Sequence, residues 1–114
     1  MKRMIENMIL INVSYQVKPE YAENFLEEVS WFTEATQAEE KNLFFDWYRD
    51  PKDANHFMLV EGFTDDGAEA HVTSEHFQRA TEEMPKYLVE TPKIINTLIE
   101  GKTEWDEMAE FQVT

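Results

Sequence analysis

The chain has 114 residues, enough for one domain built on a single modest core. Asp and Glu number 24 against 10 Lys and Arg, and the formal net charge of −14 opposes nucleic acid and anionic membrane surfaces as partners. With no cysteine, disulfides, thiolate nucleophiles and Cys-ligated zinc are excluded.

The start Met1-Lys2-Arg3 is basic, but the apolar run that follows, Met8-Ile9-Leu10-Ile11, is too short for a signal-peptide core or a membrane span. A soluble, cytoplasmic protein is expected. The eight Phe, four Tyr and three Trp exceed what one small core hides, so a partner chain or a ligand pocket takes the surplus.

Residues 8–17 alternate as a strand, with Ile9, Ile11, Val13, Tyr15 and Val17 on one side and Leu10, Asn12, Ser14 and Gln16 on the other. Lys18-Pro19-Glu20 opens a helix, Pro being preformed for the first turn and Glu suiting the positive helix end. Tyr21, Phe25, Val29 and Phe32 recur at helical spacing and predict one helix to about Glu40, with its glutamates on a solvated face. Lys41-Asn42 ends it.

LFFDWYR at 43–49 reads as a second strand and 56–63 as a third, joined by the turn-rich residues 50–55 in an antiparallel hairpin. On the third strand Phe57, Leu59, Glu61 and Phe63 share a face, which makes Glu61 the odd member of an apolar row. Thr64-Asp65-Asp66-Gly67 then punctuates the chain before a short helix carrying His71, and Thr73-Ser74 starts another with His76 and Phe77. Pro85 stops or kinks that helix, and a last strand falls within 93–103. The tail 104–114, with Trp105, Met108, Phe111 and Val113, is too apolar for a free end and packs on the domain or on a partner.

The order is β-α-β-β-α-β, an α+β ferredoxin-like arrangement within a single domain over 1–114, core about 8–103. Every strand carries apolar or aromatic residues on its second face too. A homodimer whose two sheets close into an α+β barrel is the expectation.

The same stretches carry a resemblance. NLFFDWYRDP at 42–51 and FMLVEGFTDDGAEAHVTSEHFQ at 57–78 resemble the antibiotic biosynthesis monooxygenase domain family, particularly its small quinol-monooxygenase-like members. Glu61-Gly62-Phe63, the Ala68–His71 helix and Ser74-x-His76-Phe77 match the family's strand end, short helix and helix start. The resemblance implies one of three activities: cofactor-free oxygenation of quinols and phenols, haem degradation, or isomerisation of a phosphorylated sugar-like signal. The diagnostic Trp and His of the haem-degrading type correspond here to Phe63 and roughly Thr81, which weakens that reading.

For a cofactor-independent oxygenase the implied catalytic pair is His71 and Glu61. An imidazole beside an apolar pocket takes a proton from a phenol or quinol, and the electron-rich anion reduces dioxygen directly. The residues alone leave both side chains open between this role and plain packing. Asn12, Trp47, Phe63, His76 and Phe77 are the candidate substrate-binding residues, Asn12 and Trp47 as a donor and an aromatic wall from neighbouring strands. His56, His71, His76 and Glu61 supply nitrogen and oxygen ligands, but no pair has the i, i+4 spacing of metal-binding helices, so no metal is expected. The expected partners are a small-molecule substrate and dioxygen, with a non-oxidative isomerase or a binding module as the alternative.

Overall fold

A computed structural model describes residues 6–113; the basic start Met1-Lys2-Arg3 and Thr114 lie outside the described residues. Four antiparallel strands form one sheet in the order β2-β3-β1-β4: β1 Met8–Gln16, β2 Asn42–Arg49, β3 His56–Thr64 and β4 Lys93–Ile99. The α-helices pack on one face, which is the ferredoxin-like α+β fold. Among the described residues no helix is long and apolar enough to cross a membrane.

Strand alternation assigns each face. The register Ile11↔Glu61 and Val13↔Leu59, continued by Phe45↔Glu61 and Trp47↔Leu59, puts these side chains under the helices. Phe57, Leu59 and Phe63 of β3 and Phe45 of β2 are fully buried there against Phe25, Val29 and Phe32. Each such aromatic contributes about 1.5–3 kcal/mol relative to an exposed position.

The intervening residues form the outer face. Gly62 belongs to it, and a β-carbon there would meet the Phe44 ring at 2.6 Å, so the ring lies flat on backbone that only glycine provides. Tyr48 and Ile95 are 57% and 72% exposed on this face.

The single helix expected to about Glu40 is three pieces: α1 Pro19–Ala22, α2 Phe25–Glu28 and α3 Ser30–Gln37. Asn24 and Val29 leave helical geometry at ψ 7° and 10°. Asn has low helix propensity and Val is stiff at χ1. The buried stripe nevertheless runs unbroken through Ala22, Phe25, Val29, Phe32 and Thr36. The breaks redirect the chain while the same face stays on the sheet.

Two further helices follow β3. Asp65, at φ 49°, makes the left-handed turn that Asp tolerates, and α4 Gly67–Val72 starts two residues on. Ser74 caps α5 Glu75–Glu83 by accepting from the Phe77 N–H at 3.2 Å. Pro85 ends the α-helical run as expected, in a 3-10 turn over Met84–Tyr87.

The tail does touch the domain: the Trp105 ring lies 5.4 Å from Phe44 on the outer face. Trp105, Met108, Phe111 and Val113 remain exposed, Val113 at 93%.

Candidate functional site

The site begins with a loop. After α3, the Glu39 N–H bonds to Thr36 O at 3.0 Å, and two residues later Lys41 O accepts from Thr64 N–H at 3.0 Å. Lys41 Nζ also reaches Asp66 Oδ1 at 2.5 Å. A β-carbon on Gly67 would stand 2.7 Å from Lys41 Cβ, so only glycine lets α4 start this close to the loop. The turn after β3 is thereby clamped to residues 39–42, and the Glu39 carboxylate comes to rest on α4.

There it meets two imidazoles. His71 Nδ1 lies 2.8 Å and His76 Nε2 2.5 Å from the same oxygen, Glu39 Oε2. A carboxylate only accepts, so each of these nitrogens carries the proton and His71 Nε2 keeps a free lone pair. The His71 ring is held by Phe63, stacked with centroids 5.0 Å apart, and by the edge of Phe77, also at 5.0 Å. Phe32 and Phe45 stand further out, at 5.7 and 5.9 Å.

The electrostatics follow from burial. Desolvation pushes the His71 pKa below the ordinary imidazole value, and the hydrogen bond to Glu39 opposes it without reversing it. Glu61 moves the other way: burial first, and repulsion by Glu39 second, raise its pKa to about 8. At neutral pH the pair is therefore a neutral imidazole and a protonated carboxyl, with His71 Nε2 4.0 Å from Glu61 Oε1. The Tyr15 phenol is also pushed up, by burial and then by Glu61, and stays protonated.

A cleft of about 200 Å³ opens beside this cluster, lined chiefly by Tyr15, Phe32, Phe77, Ala80, Met84 and Leu88. Phe32 and Phe77 are the same rings that flank His71. An apolar cavity of roughly 150 Å³ holds a benzene ring, so this one has room for a single substituted ring. Among the described residues its lining carries no lysine or arginine.

Of the residues singled out in the sequence, Glu61, Phe63, His71, His76 and Phe77 come together. Asn12 does not. It pairs with Val60 and Ile95 and points to the outer face, whereas Glu61 is one position away on the inner one. Nor are β1 and β2 neighbours, because β3 runs between them. Trp47 lies on the inner face but to one side, packed on Tyr15 at 4.9 Å and Phe25 at 5.4 Å, its indole N–H donating to Thr33 Oγ1 at 2.9 Å. His56 is at the far end of β3, bound to Ser14 and Asp50.

Glu39 escaped the sequence reading because it sits in a run of acids that looks like a solvated face. The signal that would have found it is position: it is the next step, after Thr36, of the buried stripe 22, 25, 29, 32, 36. The metal expectation also changes footing, since Glu39, His71 and His76 bring three ligand atoms within 4.8 Å of one another without any i, i+4 pair.

The family model described as "Antibiotic biosynthesis monooxygenase" matches residues 8–83. The Bacillus subtilis (strain 168) protein "Putative monooxygenase YcnE" is 33% identical over 72 residues, 62% of this chain and 76% of that one. Among solved structures, "Putative antibiotic biosynthesis monooxygenase from Nitrosomonas europaea" superposes with a TM-score of 0.73 at 25% identity, covering 79% of this chain and 88% of that chain. A conserved protein from Methanosarcina mazei Go1 shares the fold, with a TM-score of 0.72 at 21% identity over 83% of this chain and 93% of the other.

Proposed function

Because this chain belongs to the antibiotic biosynthesis monooxygenase family, we propose that it is a cofactor-independent monooxygenase acting on a small aromatic or quinol-type substrate in the cleft beside His71. One observation carries the reading: a buried, neutral imidazole has Nδ1 fixed by Glu39, leaving Nε2 as a base next to the rings that wall an apolar cleft.

In this reading His71 Nε2 takes the phenolic proton. The phenolate gives one electron to dioxygen, and the resulting radical and superoxide couple at the adjacent ring carbon. The new peroxide takes the proton back from His71. That carbon then loses its own proton as the O–O bond breaks, leaving a carbonyl and water; Glu61, as a neutral acid, protonates the departing hydroxide and recovers the proton from carbon. One oxygen atom stays in the product, and all four electrons come from the substrate. General-base help of this kind is worth about 10²–10⁴ in rate.

The test is oxygen consumption with a panel of monocyclic hydroquinones, aerobic and anaerobic. Turnover should require oxygen and fall by about 10²–10⁴ in His71→Ala with the far-UV spectrum unchanged; an unaltered rate refutes the mechanism. A lining without cationic residues among the described ones weighs against an isomerase gripping a phosphorylated signal, and that reading predicts oxygen-independent turnover.

The exposed apolar outer face, with Tyr48 and Ile95 beside half-buried Met58 and Val60, supports a homodimer joined through the two sheets. Asn12 then belongs to the subunit interface rather than to the cleft. Sedimentation as a stable monomer at micromolar concentration would refute the pairing.

A further inference from the structure

We infer that Glu39, His71 and His76 also form a binding site for a divalent cation of the zinc class, and that an ion bound there silences His71 as a base. The inference rests on the base reading for its second half only; the binding itself stands on geometry.

Three features point to a cation. The donor set, two imidazoles and one carboxylate, is one that zinc and its neighbours take with an open fourth position. The three donor atoms come from three separate elements: the loop after α3, α4 and α5. They converge within 4.8 Å, with Glu39 Oε2 between the two nitrogens at 2.8 and 2.5 Å. Metal bonds of about 2.1 Å in a tetrahedral arrangement separate ligand atoms by roughly 3.4 Å, so as protons give way to the ion the carboxylate withdraws by less than about one ångström and the two nitrogens, now within 4.8 Å, close toward that spacing.

The surroundings fit as well. His71 is packed among four phenylalanine rings and bonded to Glu39, so one ligand is already oriented. Its other nitrogen faces the Glu61 carboxyl at 4.0 Å, and an outer carboxyl of this kind, once closed to hydrogen-bond distance, accepts the second N–H of a metal-bound imidazole. The chain's net charge of −14 draws cations toward it.

The cost to catalysis is a matter of proton count. An ion on Nδ1 takes the lone pair there, the ring proton moves to Nε2, and the lone pair that would accept a substrate proton is gone.

Cobalt(II) serves as the probe, because tetrahedral coordination gives it visible absorption, and zinc as its competitor. Titration of the protein should give one equivalent of visible-absorbing cobalt, displaced by one equivalent of zinc. His76→Ala should lose that absorption, as should Glu39→Gln, whereas Glu82→Gln, in another part of the acidic surface, should keep it. His76 is partly exposed and outside the core, so its variant folds, and far-UV spectra check this. No cobalt signal, or an equal one in His76→Ala, overturns the site. With binding established, zinc should reduce oxygen-dependent hydroquinone turnover at least tenfold in the wild type; undiminished or increased turnover overturns the silencing. If no hydroquinone turns over at all, the oxygenase reading falls, and the cobalt titration still decides the site.

Discussion

Replacing Glu61 by Gln should make the protein more stable at pH 7.5 while changing little at pH 5. The unfolded carboxyl titrates near 4.5 and the folded one near 8, so between those values folding forces a proton onto a group that would ionise in water. The sign follows: with the folded pKa raised, stability is fully present below 4.5 and is lost as pH rises through 8. Each pH unit in that window is about 1.4 kcal/mol, which gives a loss of roughly 3 kcal/mol between pH 5 and pH 7.5. Gln keeps the shape and never ionises, so the loss disappears. His71 works in the opposite direction, because its depressed pKa makes the folded state less stable as pH falls; it is present in both proteins and cancels in the comparison. The assay is urea unfolding of both proteins at the two pH values and one chain concentration. A Glu61→Gln variant whose advantage at pH 7.5 over pH 5 is below about 0.5 kcal/mol would show that Glu61 ionises freely, contrary to its burial.

The acid limb of the pH–rate profile should have its midpoint below the ordinary imidazole pKa, since activity requires unprotonated His71 and burial depresses it. Glu39→Gln removes the group that favours the imidazolium and should move the midpoint lower still, with a smaller rate loss than His71→Ala; an upward movement refutes the assigned hydrogen bond. Thr36 is fully buried and its Oγ1 has no partner among the described residues, so Thr36→Val should stabilise by about 1 kcal/mol, read as a higher urea midpoint. A lower midpoint would mean that the hydroxyl is satisfied.

Most of the fold was legible because the signals behind it are local. Alternation over 8–17 and 43–49, the turn residues at 50–55 and the Ser74 start signal each act over a few residues, and the elements stand within a residue of where those signals put them. Periodicity could not see the breaks at Asn24 and Val29, since the buried stripe crosses them unchanged. The site was half legible. Glu61 stood out as a carboxylate in an apolar row, and His71 as an imidazole on a short helix. Glu39 and the misplaced Asn12 depend on tertiary facts: a loop clamped by Lys41 and Gly67, and a strand order that separates β1 from β2.

One consequence lies in the hairpin far from the cleft. His56 bridges Ser14 Oγ at 2.6 Å and Asp50 Oδ2 at 3.0 Å, and Asp50 N–H bonds back to His56 O at 2.9 Å, tying β3 to both its neighbours where it begins. Because successive side chains point to opposite faces, Glu61 and Gly62 differ by one step of register. A one-residue slip of β3 would carry the carboxyl to the outer face and leave glycine beneath His71. The chemistry of the inner face is thus encoded as reading frame along β3, and a deletion within 50–55 would erase it without altering any residue of the cleft.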